Sequence, residues 1–225
     1  MMRYAILVAG GTGNRMNSDV PKQFLVFKRK PVLMHTIERF FSFDPSIKII
    51  LVLPEHSIAD WENLVKKYPL PCLVSIATGG RARSDSTRSG LALVPDNVLV
   101  AIHDAVRPLL SIELIARCFD TAEKLGNACP AIAPVDSLRK KELKGSKSVD
   151  RNHFFQVQTP QCFHSKLIKE AFQKTTDNTF TDEISLLEST GHQINLVEGE
   201  RWNIKITYPE DLIVAEALIA NGANK

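Results

Sequence analysis

The sequence is poor in the features that most directly announce a role. Its four cysteines, Cys72, Cys118, Cys129 and Cys162, are scattered and form no C-x-x-C pair. They are expected to be reduced and mostly buried, as in a cytosolic protein, rather than disulfide-bonded or metal-ligating. The six histidines show no H-E-x-x-H spacing, so no zinc site is expected. No apolar run is long enough for a transmembrane helix, and the short N-terminal run ends in glycines too soon for a signal-peptide core. Basic tracts are absent and the net charge is only +3, which gives no charge-based reason to expect a nucleic-acid or membrane partner. There is neither an internal repeat nor a low-complexity segment. A cytoplasmic protein is the expectation.

What is present is an ordinary globular composition, 44% hydrophobic and 24% charged over 225 residues. That size is long for one domain and short for two, so a single domain over 1–225 is expected. The chain is organised around its first turn. The apolar run Tyr4 to Ala9 is followed at once by Gly10-Gly11-Thr12-Gly13-Asn14-Arg15-Met16, and Pro21-Lys22-Gln23 comes soon after. A buried strand feeding glycines can bring backbone N–H groups against phosphate, because no Cβ stands in the way. The turn lacks the Gly-Lys-Ser/Thr ending of a P-loop. As a dinucleotide fingerprint it also fails, with Met16 where a third small residue belongs and no acidic residue closing a second strand at the right distance. With the permanent charges of Arg15 and Lys22 beside it, a polyphosphate loop is the reading that remains.

Further on, apolar runs and helical spacings alternate. Strands are predicted at 48–53, 73–77, 98–102 and 128–135, and helices from 30–31 onward, then at 58–68, 84–93 and 111–125. The strand runs are apolar throughout, as for strands covered on both faces, so a mostly parallel sheet with helices on both sides is predicted. The pattern breaks at Arg139 to Asp150, which is polar, basic and rich in turn residues. Extended segments flank it, so a projecting hairpin turning at Lys144-Gly145-Ser146 is expected; such an arm cannot bury its own faces and would need a partner subunit. Beyond it, helices are predicted at 164–173 and 181–190, strands at 194–198 and 203–207, and a final helix opening at Pro209-Glu210-Asp211.

Several polar stretches fall where an open α/β sheet holds its ligand, just past the carboxyl ends of strands. They are Gly10 to Arg15, Gly79-Gly80-Arg81-Ala82-Arg83-Ser84-Asp85-Ser86, and His103-Asp104-Ala105. Asp104 suits Mg²⁺, which takes one or two carboxylates together with phosphate oxygens. The sequence offers no general base with a clear partner, and offers instead Arg15, Lys22, Arg83, Arg151 and Lys205. That balance points to phosphoryl or nucleotidyl transfer, in which positioning and charge stabilisation carry the reaction.

This set of stretches resembles the cytidylyltransferases of the non-mevalonate isoprenoid pathway, which make 4-diphosphocytidyl-2-C-methyl-D-erythritol from CTP and 2-C-methyl-D-erythritol 4-phosphate. The further matching stretches are Val149-Asp150-Arg151, Gln158-Thr159-Pro160-Gln161, Thr181-Asp182-Glu183 and Asn203-Ile204-Lys205-Ile206-Thr207. They run in family order over nearly the whole chain. The resemblance implies a Rossmann-like α/β fold of the nucleotide-diphospho-sugar transferase type, with residues 137–158 as a dimerisation arm. It implies that Ala9, Gly10, Gly11 and Gly13 hold the triphosphate, and that Arg15 and Lys22 neutralise charge on the α-phosphate and the leaving pyrophosphate. Gly80, Arg81, Ser86 and Ala105 would complete the nucleotide site. Asp104 would lie between ribose, substrate hydroxyl and Mg²⁺ or another divalent cation. Ser137, Arg151, Thr181 and Lys205 would serve the second substrate, with Arg151 arriving from the neighbouring subunit of a homodimer.

Two positions depart from the family pattern: Ser137 stands where threonine is common, and Arg81 where an acidic residue often stands. A cytidylyltransferase for another polyol phosphate, such as ribitol 5-phosphate, shares the CTP half of the pattern. A catalytically idle nucleotide-binding domain need not keep Arg15, Lys22, Asp104 and Lys205 together.

Overall fold

In the computed structural model, residues 1–10, 16, 20–175 and 179–222 are described. The chain begins with β1 (Arg3–Val8), then makes a small antiparallel hairpin of β2 (Val26–Phe27) and β3 (Lys30–Pro31). Helix α1 (Val32–Phe43) follows, with Pro31 just ahead of its first turn rather than inside it. Strand β4 (Lys48–Leu53), helix α2 (Ile58–Lys67) and strand β5 (Val74–Thr78) come next, and then α3 (Arg83–Leu91) and β6 (Leu99–Asp104). Helix α4 (Ile112–Leu125) is capped by Ser111, whose side chain accepts from the Leu114 N–H at 2.9 Å. After β7 (Asn127–Ile132) the chain leaves the sheet as β8 (Leu138–Lys141) and β9 (Ser146–Val149). It returns through β10 (Gln156–Val157) and β11 (Gln161–His164), and continues with α5 (Ser165–Lys174), α6 (Glu183–Ser189), β12 (Leu196–Glu198) and α7 (Pro209–Ala220).

The central sheet runs β5-β4-β1-β6-β11-β7, with β10 and β12 also paired to β7. The β1–β4, β1–β6, β4–β5 and β7–β12 pairs are parallel; β11 lies antiparallel between β6 and β7. The predicted mostly parallel architecture is therefore present, with antiparallel β10 and β11 inserted. Both faces are covered. Ala5 and Leu7 of β1 pack with Leu33, Ile37 and Phe40 of α1 and Phe119 of α4. Ile6, pointing the other way, packs with Leu91 of α3 and with Phe163, Ile168 and Leu187. Phe40 and Phe119 are fully buried, and side chains of that size contribute about 1.5–3 kcal/mol each on burial. A third cluster, including Phe27, Val106, Ile206 and Ala215, seats α7 and the β2–β3 hairpin near the ends of β1 and β6.

Three expectations change. The 203–207 stretch is irregular and not a strand, because its polar groups bond to scattered partners and not to one neighbouring strand. The strand β11 occupies the start of the region expected to open a helix at 164; no turn residue separates it from α5. The extended stretch 149–158 is broken by a short 3₁₀ turn at Arg151–His153, capped by Asp150. The excursion after β7 is the hairpin expected from composition: among the described residues β8 and β9 pair only with each other, and Gly145 (φ +84°) supplies the left-handed residue of the turn. Among the described residues no helix is long and apolar enough to cross a membrane.

Candidate active site

The register of the parallel strands decides where chemistry can collect. Val8, the last residue of β1, is level with Asp104, the last of β6, and Leu53 of β4 is level with Thr78 of β5. The segments after β1, β5 and β6 therefore leave from one edge, and a cleft of about 360 Å³ opens there. The glycine-rich turn itself lies outside the described residues from Gly11 to Arg15, so Gly11, Gly13 and Arg15 have no structural account. Ala9 and Gly10 line the cleft. The Ala9 N–H already donates to the Val52 carbonyl at 2.9 Å, so Ala9 contributes wall and not a phosphate donor.

The second wall comes from the turn between β5 and α3. A Cβ on Gly80 would fall 2.3 Å from the Asp85 Cβ, so only glycine lets this turn close onto the helix. Asp85 in turn accepts from the Ala82 N–H at 3.0 Å, tying back the first turn of α3. The Ser86 hydroxyl accepts from the Gly80 N–H and donates to the Ala82 carbonyl, both at 3.2 Å. Ser86 thus shapes the turn as well as lining the cleft, while Arg81 lies exposed at its rim.

Asp104 is 6% exposed at the floor and carries three cations. Arg107 Nε is 3.0 Å and Lys205 Nζ 3.1 Å from its Oδ2, and Arg83 Nε is 3.7 Å from Oδ1. Burial alone would raise its pKa, but Arg107, Lys205 and Arg83 together hold the carboxyl well below the usual range, so it stays ionised. Its neighbour His103 is fully buried against Phe40, and burial drops its pKa to about 3. The Thr159 hydroxyl accepts from the Asp104 N–H at 3.1 Å and lies 2.9 Å from His103 Nδ1. With that proton directed at Nδ1, Nε2 carries the imidazole hydrogen and donates to the Arg107 carbonyl at 3.3 Å. His103 is neutral and fully engaged, a support for Asp104.

A second, smaller hollow of about 150 Å³ adjoins the first. Arg83, Asp104 and Lys205 line both, so these three side chains form a shared wall between two compartments. Lys205 sits on the irregular 203–207 segment, which Arg107, Thr159, Val106 and Lys22 hold in place. Lys22 is 8% exposed, lines the larger cleft, and its Nζ donates to the Ile206 carbonyl at 3.1 Å.

Two anion-sized compartments on one charged wall fit a reaction between two phosphate-bearing substrates, and comparison with known proteins gives the family. The sequence pattern of 2-C-methyl-D-erythritol 4-phosphate cytidylyltransferase matches residues 3–221. The chain belongs to that family. A cytidylyltransferase of that name from Phocaeicola vulgatus is 47% identical over 97% of this chain and 100% of its own length, and one from Bacteroides fragilis is 46% identical over the same shares. Among solved structures, the 4-diphosphocytidyl-2C-methyl-D-erythritol synthase of Anaerococcus prevotii is similar with a TM-score of 0.83 at 27% identity, covering 97% of this chain and 96% of that one. The 2-C-methyl-D-erythritol 4-phosphate cytidylyltransferase of Thermus thermophilus gives 0.78 at 30% identity, covering 97% and 100%. As a member of this cytidylyltransferase family the chain is an enzyme of nucleotidyl transfer.

The remaining expected positions sort unevenly. Thr181 lines the smaller hollow beside the shared wall. Ser137 and Arg151 lie exposed at the two ends of the arm and line neither hollow; the Arg151 guanidinium donates to the Val135 carbonyl of its own chain. Ala105 does not line the cleft either: it is fully buried, its N–H donates to Val8 at 3.1 Å and its carbonyl accepts from Thr36 at 2.9 Å. Sequence reasoning assigned no role to Arg107 or Glu183. Arg107 stands three residues after Asp104, and that spacing was a usable signal. Among the described residues no cluster of three or more metal-ligating side chains exists. A single carboxylate at a phosphate cleft still fits Mg²⁺, which keeps waters and takes phosphate oxygens as its other ligands. Asp104 Oδ2 is committed to two cations, while Oδ1 has its nearest cation beyond hydrogen-bond reach at 3.7 Å.

Proposed function

We propose that the chain transfers CMP from CTP to 2-C-methyl-D-erythritol 4-phosphate, forming 4-diphosphocytidyl-2-C-methyl-D-erythritol and pyrophosphate in isoprenoid precursor synthesis. The observation that carries this reading is the wall of Arg83, Asp104 and Lys205 shared by the two hollows. CTP occupies the larger cleft, with its triphosphate toward the glycine turn and Lys22. Gly80, Arg81 and Ser86 face the base. The phosphate of the polyol enters the smaller hollow, beside Thr181 and Lys205. A non-bridging oxygen of that phosphate attacks the α-phosphorus in line; the new O–P bond forms as the bond to the bridging oxygen of the β-phosphate breaks, and pyrophosphate departs with the electron pair. A phosphate monoester is a competent nucleophile near neutral pH, so no base is needed, in keeping with a neutral, fully bonded His103. Lys22 and Arg15 neutralise charge that builds on the α-phosphate and leaving group. Asp104 Oδ1 and the nucleotide phosphates would hold Mg²⁺, which supplies further charge neutralisation when bound.

The reading includes a homodimer through residues 137–158. Among the described residues β8 and β9 pair with nothing else in their own chain, and Val135, Phe154, Phe155 and Trp202 leave apolar surface exposed. Arg151 of one subunit would then serve the polyol-phosphate hollow of the other, with Ser137 near that contact. Purified protein given Mg²⁺, CTP and 2-C-methyl-D-erythritol 4-phosphate should release pyrophosphate. Faster turnover with ribitol 5-phosphate would replace the acceptor, and no turnover with either would leave a nucleotide-binding domain.

A further inference from the structure

The shared wall has a second row behind it. Arg83 is mostly buried, yet it stands between two carboxylates: its Nη1 donates to Glu183 Oε1 at 2.6 Å and its Nε faces Asp104 at 3.7 Å. Burial alone would lower the guanidinium pKa; Glu183 first and Asp104 second more than reverse this and keep it charged. Glu183 is 2% exposed and touches neither hollow. The same Oε1 also accepts from the Thr87 hydroxyl at 2.7 Å, while Oε2 is buried with no hydrogen-bond partner among the described residues. Concentrating both donors on one oxygen and leaving the other orphaned is a poor arrangement for stability alone, since a buried carboxylate oxygen without a partner is costly. It makes sense as a device that fixes one guanidinium.

The device is itself braced. Gln161, 1% exposed, accepts from the Glu183 and Ile184 N–H groups at 3.1 and 3.0 Å and donates to Asp182 at 3.2 Å. Thr87 lies in α3, the helix that also carries Arg83. The carboxylate is therefore gripped by α3 and by the start of α6, and it holds Arg83 across the boundary of the two compartments. The Arg83 Nη2 donates to nothing among the described residues, so the fork keeps N–H groups for ligands.

We propose that Glu183 is a positioning residue, which acts on the reaction only by locking the Arg83 guanidinium where both substrates meet it. This rests on the nucleotidyl-transfer reading above. Wild-type turnover with CTP and 2-C-methyl-D-erythritol 4-phosphate is measured first, since its absence defeats that reading and not this one. Glu183→Gln keeps the shape and removes the charge, and should lower kcat/KM roughly 10–100-fold for both co-substrates, the scale of one charge-assisted hydrogen bond. Calorimetry should show weaker CTP binding to the same variant. Arg83→Met should cost at least as much, and adding Glu183→Gln to it should change kcat/KM less than about twofold, because coupled residues do not add. A purely structural Glu183 would give full, multiplicative losses in the Arg83→Met background, and that result, or wild-type kinetics for Glu183→Gln, overturns the proposal. Should Glu183→Gln fail to fold, Thr87→Val removes the other grip on the carboxylate. Its effect on kcat/KM should likewise vanish in the Arg83→Met background, and its persistence there is the overturning outcome.

Discussion

The wall of Arg83, Asp104 and Lys205 and the β8–β9 arm are both rich in charge, and the fold treats them in opposite ways. Two charged groups of the wall are held from more than one side: Asp104 by three cations and a backbone bond to Thr159, Arg83 by two carboxylates; Lys205 is held through Asp104. Among the described residues β8 and β9 have only their own ladder and local contacts such as Arg139 to Ser146. An isolated two-stranded hairpin is marginally stable in water. The comparison teaches that half of the site is preorganised within one chain, where dipoles and charges cost no reorganisation at the moment of reaction. On the proposed reading the other half is presented on the arm, which a second subunit would order.

The comparison is broken most forcefully at Asp104. Asp104→Asn leaves three cations facing a neutral amide, and should lower kcat/KM by about 10³-fold and stability by about 3–5 kcal/mol. Steady-state kinetics and a denaturant melt check both; an active, unshifted variant would mean that the wall is not preorganised by charge. Lys22→Ala comes next. Turnover should fall about 10²-fold, and because Lys22 Nζ also ties down the Ile206 carbonyl, the KM for the polyol phosphate should rise as well. Near wild-type turnover would remove Lys22 from the mechanism.

Arg151→Ala tests the arm's side. It should raise the KM for the polyol phosphate roughly 10–100-fold without changing the melting temperature, since the side chain is exposed. Mixing Arg151→Ala subunits with Asp104→Asn subunits should restore activity, because a hybrid dimer rebuilds one intact site. Failure of the mixture to recover, or light scattering showing a monomer at micromolar concentration, would place Arg151 outside any trans role.

The smallest effect sharpens the preorganised half. His103 has its folded pKa depressed to about 3, chiefly by burial, so below its ordinary value of 6.5 the unfolded chain takes up a proton that the folded chain refuses. Its contribution is present above pH 6.5 and is lost as pH falls toward 3, with a slope of about 1.4 kcal/mol per pH unit. Asp104, with its own pKa depressed, weakens in the same direction only below about pH 4. Denaturant melts between pH 6.5 and 4.5 therefore report His103 together with His35, whose pKa burial also lowers, and His103→Gln should reduce the slope there, leaving the share of His35. An unchanged slope would assign the loss to another group.

Much of the scaffold was legible because local pattern and tertiary role agreed. Strand 48–53 was read to the residue from its unbroken apolar run, and the helix expected at 111–125 runs Ile112–Leu125, with Ser111 and Gly126 as its caps. The strand-end stretches, with Asp104, were visible as polar breaks after apolar runs, whereas Lys205 stood in a stretch expected to be a strand. Strand β11 was not visible, because four residues with no turn residue after them carry too little periodicity to separate from the helix they lead into. Sequence places Ala9 and Ala105 near the site, but not that the N–H of each is already spent on a neighbouring strand.

By itself the sequence determined the alternation of elements, the doubly covered sheet, the arm and the chemical character of the strand ends, since each follows from spacing and residue type within a short window. Tertiary structure alone decided that Arg83, Asp104 and Lys205 form one wall, and that Glu183 stands behind it. Arg83 and Glu183 are 100 positions apart, and no local rule links them. Only the tertiary fold, which sets the start of α6 beside α3, brings a buried carboxylate to that guanidinium, and the low dielectric there makes the pairing strong enough to fix it.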